Sequence, residues 1–222
     1  MKDEGAKVLG FLVATIALVL VISVFGTKVL GAASGPENEL ITFLKKQEAP
    51  GSIFDAAGTL KGEKVSYQRL SVIVAPDGQS ATVSGTLDFV GQRDGTRVSS
   101  LGFERVRFVR KDDEWRPLDG AAPRLAAIVR ALDRRRRSLQ AGDIPEAEGL
   151  DAAEAERYRR IEGRSFTVDA WYIRSEKEGV EVSEDYRLTG RLPERPVDEK
   201  ATRRFSLSED ARGEFLFPHG LL

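Results

Sequence analysis

The hydrophobic pattern opens on an unbroken apolar run, Val8 to Gly26, reading VLGFLVATIALVLVISVFG, with only Thr15 and Ser23 weakly polar. At about 1.5 Å rise per residue, a helix of this length spans roughly 30 Å, the hydrocarbon thickness of a bilayer. The run is apolar on every side, so it offers no stripe to a soluble core. It predicts a transmembrane helix over 8–26, with a short tail over 1–7 and a small-residue linker over 27–36. A cleaved signal would have a shorter apolar region, about 7–15 residues. Gly31-Ala32-Ala33 resembles a cleavage site, but Lys28 stands between it and the run. Lys2 and Lys7 precede the run and Lys28 alone follows it closely, which favours a cytoplasmic tail and an exported body.

Beyond Pro36 the pattern is helix first, strands after, and it occurs twice. In unit one, 37–120, helical spacing covers Glu37 to Gln47, and a short helix is predicted from Ser52 to Leu60. Strands are predicted over Val65–Ala75, Ala81–Val90, Arg97–Val109 and Glu114–Leu118. Ala81, Val83, Gly85, Leu87 and Phe89 alternate with polar residues, the mark of a half-buried antiparallel strand. In the third strand the apolar parity changes between Phe103 and Val106, which predicts a β-bulge near Glu104-Arg105. Unit two, 121–222, begins with a helix over Pro123–Gln140 whose stripe is Leu125, Ile128, Val129, Leu132 and Leu139, with Gly142 placed to end it. Asp151-Ala-Ala-Glu154 resembles a capping box for a second helix. Strands follow over Ser165–Arg174, Val180–Leu188, Thr202–Ser208 and Glu214–Phe217. The predicted fold is α+β: an N-terminal transmembrane helix followed by two repeated helix-plus-antiparallel-sheet units.

The long helix ending in Ala141-Gly142-Asp143, the short helix and the four-stranded meander resemble the nuclear transport factor 2-like cone fold, a likeness of tandem modules that covers 121–222 best and 34–120 less well. The cystatin-like arrangement is the close competitor. The layout of tail, membrane helix and such modules resembles the bitopic scaffold proteins of bacterial secretion and conjugation machines. That resemblance implies a single-pass inner-membrane protein with a periplasmic body, held to other envelope proteins; fold alone does not establish function.

Composition narrows the chemistry. The 222 residues contain no cysteine and one histidine, His219, which excludes disulfides, thiolate metal sites and a cysteine nucleophile. Lys+Arg is 34 and Asp+Glu is 35, so charge balance gives no reason to expect nucleic acid. Arginine outnumbers lysine and Asn38 is the only asparagine, a pattern usual in GC-rich bacteria. Phosphate-loop, dinucleotide, zinc-protease and serine-hydrolase spacings are missing. Cone-fold enzymes use an acid or base with a hydrogen-bond donor in an apolar pocket. The candidates are Asp169, Tyr172, Asp185, Tyr186 and Tyr158, with Tyr67 and Asp88 in unit one. Asp169 and Tyr172 face opposite sides of a regular strand and need a bulge to share a face.

The expected function is therefore a non-enzymatic interaction or scaffold subunit of a membrane or envelope complex. No cofactor, metal or nucleic acid is expected, and no small-molecule ligand. The alternative is a tethered ligand-binding or enzymatic cone domain. Two contact sets stand out: Gly10, Ala14 and Ala17, a small-residue face for helix contact in lipid, and Arg130, Arg134 and Arg137, one helix face for an anion or acidic partner. Arg136 falls beside the apolar stripe and is expected to snorkel or pair.

Overall fold

The computed structural model describes residues 35–55, 57–142 and 150–217. Helix α1 (Pro36–Lys46) is followed by β1 (Leu60–Val74), β2 (Ser80–Arg93), β3 (Thr96–Lys111) and β4 (Glu114–Pro117). Then come α2 (Pro123–Ala141), α3 (Ala152–Arg159), β5 (Glu162–Ser175), β6 (Val180–Leu192), β7 (Arg195–Glu209) and β8 (Phe215–Leu216). The fold is α+β. The eight strands form one mixed sheet in the order β1-β2-β3-β5-β6-β7-β8, with β4 also pairing β3.

This overturns the expectation of two units each with its own antiparallel sheet. β3 pairs β5 in parallel, from Arg97 against Ala170 to Gly102 against Ser175. Helices α2 and α3 form the crossover that a parallel pair requires. Gly102 makes the close approach possible: its φ is +148°, and a Cβ there would overlap the Ser175 carbonyl oxygen. Thr96 adds a hydrogen bond, its hydroxyl donating to the Val168 carbonyl at 3.1 Å. Local alternation specifies hairpins within each half, but not a pairing between residues about seventy positions apart. Among the described residues no helix is long and apolar enough to cross a membrane. The transmembrane helix expected over Val8–Gly26, with Gly10, Ala14 and Ala17, lies outside the described residues.

Two further expectations are corrected. Strand β3 has no bulge: its register with β2 is unbroken from Thr96 to Val109. Ser100 and Glu104 sit on the core-facing side and are 5% and 2% exposed, so two buried polar residues counterfeit a change of parity. The bulges lie instead in β1, at 62/64 and 68/71, and in β5, at 162/165 and 168/170. Nor is there a helix at Ser52–Leu60 among its described residues. Asp55 organises that segment as a loop, its carboxylate accepting from Thr59 N (2.8 Å), Leu60 N (2.9 Å) and Thr59 Oγ1 (2.7 Å).

Each helix docks for a definable reason. At the end of α1, Lys45 Nζ donates to the Tyr67 carbonyl (2.7 Å) and the Glu48 carboxylate accepts from Tyr67 N (2.7 Å), tying the helix to the backbone of β1. Leu40 and Leu44 are buried. Helix α2 packs on β3, β5 and β8, across the seam between the halves. Its stripe residues Leu125, Ile128, Val129, Leu132 and Leu139 are all buried, and Gly142 ends it at φ 99°. Asp151 caps α3 through Glu154 N at 2.7 Å. Trp171 is fully buried and Trp115 nearly so.

Candidate functional site

The crossing of α2 over the seam creates a polar junction and, beside it, a groove. Helix α2 begins at Pro123 without a side-chain cap from its own N-cap residue, Ala122. Its free N–H groups are met from the sheet. Glu104 Oε1 accepts from Arg124 N and Oε2 from Leu125 N, both at 3.0 Å, and Oε1 also accepts from Arg105 N at 3.0 Å. A carboxylate at a helix N-terminus satisfies orphan donors and complements the helix dipole. The next residue in the junction is Arg124. Its Nε donates to Ser175 Oγ (3.0 Å), Nη2 donates to the Glu176 carbonyl (2.7 Å), and Nη1 pairs with Glu209. The guanidinium also stands 5.0 Å from the Phe215 ring centroid and 5.7 Å from that of Phe103. One arginine on α2 thus touches β3, the end of β5, β7 and β8.

Burial pushes the Glu104 carboxyl up to about 7, against the pull of its three N–H donors and of Arg124. Its folded value therefore lies above the ordinary 4.5. Between pH 4.5 and about 7 the folded state holds a proton that the unfolded state has released, so this group's contribution falls as pH rises through that window. Chemical denaturation at pH 5 and pH 7.5 should show the native chain losing stability relative to Glu104→Gln, which cannot ionise. A parallel pH slope in both proteins would contradict the assignment.

The groove beside this junction measures about 780 Å³. Its walls are the loop at Ile53–Asp55, Arg105 and Arg107 of β3, the Leu118–Gly120 turn, the first turns of α2 through Arg130, and the Glu209–Glu214 turn. Arg107 pairs with Asp119 at 2.8 Å, and Asp55 pairs with Arg93 at 2.8 Å. Asp210 accepts from Arg212 N (2.8 Å) and Glu214 N (2.9 Å), which holds the β7–β8 turn and depresses its carboxyl below the usual range. Arg105, Arg130 and Arg212 line the groove with no ion pair or side-chain hydrogen bond among the described residues. Ile53 and Leu118 stand in the same walls, 54% and 53% exposed.

The arginines expected to share an anion site diverge. Arg130 lines this groove. Arg134 is exposed beyond it, and Arg137 turns back to Asp133 at 3.0 Å. Arg136 also pairs with Asp133, at 2.6 Å. The arginine within the apolar face is Arg135, which donates to Glu184 at 2.6 Å while Trp171 Nε1 donates to the same carboxylate at 3.0 Å. The spacing 128, 132, 135, 139 places Arg135 on the stripe, and 124, 128, 131, 135 does the same for Arg124. Helical periodicity carries this signal, within a run of four arginines that spreads around the helix.

The acid–base candidates do not converge on a cavity. The β5 bulge turns both Asp169 and Tyr172 outward, where Asp169 pairs with Lys200 at 3.5 Å and Tyr172 is 46% exposed. Asp185 accepts from Thr202 Oγ1 at 2.5 Å. Asp88 lies 3.7 Å from Lys64, and Tyr67 donates to the Ala121 carbonyl at 3.0 Å from a buried position. Tyr158 and Tyr186 are buried around Phe166, beneath the Arg203 guanidinium. Tyr186 donates to Glu199 at 2.9 Å, and burial raises its phenol above the ordinary value. Neither tyrosine lines the groove beside α2. Among the described residues no group of three or more His, Cys, Asp or Glu could hold a metal ion. His219 lies outside the described residues.

The open strand edges are poor sites for strand addition. β8 covers β7 only at Ser208–Glu209. The rest of that edge carries Pro196 and the charged residues Asp198, Glu199, Lys200, Arg203 and Arg204. The β1 edge has two bulges, and Lys45 and Glu48 already occupy its backbone at Tyr67. Proline, charge, bulges and covering side chains all blunt edge pairing.

No family model matches the chain, and no match is found among curated proteins. Among solved structures, a protein from Catenulispora acidiphila is similar at 16% identity, with a TM-score of 0.32, over 43% of this chain and 86% of that one. An NTF2-like protein involved in plasmid conjugation is similar at 9% identity, with a TM-score of 0.28, over 82% of this chain and 86% of that one. Superpositions this loose carry no argument about either fold or function.

Proposed function

We propose that the chain is a non-enzymatic interaction subunit of a bacterial membrane or envelope complex, and that its partner protein docks in the groove beside the α2 junction. The observation that carries this reading is the pair of exposed aliphatic residues, Ile53 and Leu118, set among arginines in one groove. Protein interfaces combine apolar anchors with arginine and a polar rim. Arg107, paired with Asp119 at the surface, and Arg105, Arg130 and Arg212 supply the arginine rim, while Arg124 is engaged inside the junction. The apolar run over 8–26 supports placement at the inner membrane with a periplasmic body, and with it an integral membrane complex as partner.

The test is substitution of the groove anchors. Ile53→Asp with Leu118→Asp should abolish co-purification of partner subunits from native membranes in mild detergent. Both side chains are exposed in the free chain, so the unfolding midpoint should change little. Full recovery of every partner with the double variant would contradict the reading.

A further inference from the structure

Strand β1 contains a backbone outlier that the seam groove does not explain. Arg69 has φ +53°, inside a strand and at the 68/71 bulge. The other described non-glycine residues with positive φ are Asp94, Asp112 and Asp113, which sit at hairpin turns. For an arginine this conformation costs about 1 kcal/mol or more, and a bulge re-aims the side chain it carries. Yet the Arg69 side chain makes no ion pair or hydrogen bond among the described residues. What it does is line a second groove, of about 660 Å³, on the surface crossed by β1, β2, β3 and the end of β5.

That groove gathers cations from separate segments. Arg69 comes from the β1 bulge, Arg174 from the end of β5, and Lys177 from the β5–β6 turn, with Glu176 the one carboxylate. The Arg174–Glu176 pair is long, at 3.4 Å, and both side chains are about 70% exposed, so solvent screens it and Arg174 can turn to another anion. Ser71, Ser84 and Thr86 line the same groove, and their hydroxyls make no side-chain hydrogen bond among the described residues. Leu101, 57% exposed, and Phe103 supply an apolar wall. The volume lies within the roughly 300–1,000 Å³ of small-ligand sites.

We propose that this groove binds a phosphate ester, its oxyanion held by Arg69, Arg174 and Lys177 and its organic part laid against Leu101 and Phe103. The cations and hydroxyls provide the several charge-assisted donors that the non-bridging oxygens of a phosphate mono- or diester accept. The same chemistry is presented by a soluble organic phosphate and by a phospholipid headgroup. The two grooves share no lining residue, and Arg124 of the α2 junction stands between them, bonded to Ser175 and the Glu176 carbonyl and stacked on Phe103.

The experiment uses the full chain. In neutral detergent, calorimetric titration with inorganic phosphate and with glycerol 3-phosphate tests the soluble source. In nanodiscs of phosphatidylcholine with or without phosphatidylglycerol, hydrogen exchange at 69–71 and 174–177 tests the headgroup. Heat with glycerol 3-phosphate, or added protection only with phosphatidylglycerol, supports the site and names the source. Arg69→Gly and Lys177→Gln should each weaken that binding about tenfold, the loss of one charge-assisted contact. Arg69→Gly should not lower the melting temperature, because glycine takes the positive φ freely. The proposal is overturned by silence in both arms, by undiminished binding in Arg69→Gly, or by a fall in its melting temperature, which would make Arg69 a packing residue.

Discussion

Arg135→Ala should destabilise the fold by about 3–5 kcal/mol, the range for removing one partner of a buried ion pair. Arg135 is 2% exposed and Glu184 fully buried. Without the guanidinium, Glu184 keeps the Trp171 indole N–H and loses the charge 2.6 Å away. The Arg135 side chain also stands 4.9 Å from the Phe205 ring centroid and 5.6 Å from that of Phe217, so truncation opens space between α2 and the end of the sheet. Replacing both partners, as Arg135→Met with Glu184→Leu, should recover most of the loss, because no buried charge is stranded. Urea denaturation of the two single variants and the double variant checks this. Additive losses in the double variant would show that the two side chains do not act as a pair.

Gly102→Ala should be nearly as damaging, at about 2–4 kcal/mol, through strain at the seam. The added Cβ would overlap the Ser175 carbonyl oxygen at φ +148°, so β3 and β5 must separate where they pair. Thr96 and Arg124 then lose their alignment with Val168 and Ser175. Denaturation followed by Trp115 in one half and Trp171 in the other should give coincident curves for the native chain. In Gly102→Ala the two curves should part. Native-like coincidence and stability in that variant would mean that the seam does not bind the halves into one cooperative unit.

These two sites mark the boundary of what local sequence can express. Alternation in β2 and the helical stripe of α2 are short-range patterns set by burial, and they place Ala81, Val83, Leu87, Phe89, Leu125, Ile128 and Leu139 in the core as expected. Turns and caps are equally local: Asp151 and Gly142 bound their helices through their own side-chain and backbone chemistry. The parallel β3–β5 pair depends on tertiary approach, and Gly102 read simply as one more glycine. Buried Glu104 imitated a bulge because a core-facing carboxylate breaks the apolar parity from which strand faces are read. Of the groove beside α2, the sequence singled out Arg130 alone. Ile53 and Leu118 became neighbours only through the docking of the loop before β1 against the turn after β4.

Site-specific photocrosslinking in native membranes tests the central claim most directly. A benzophenone side chain at Leu118, and separately at Ile53, should form an adduct with one and the same membrane protein. The same probe at Ile73, exposed on β1 and outside both grooves, should not form it. Absence of an adduct from both groove positions, or an equal adduct from Ile73, would contradict the assignment of the groove as the partner site.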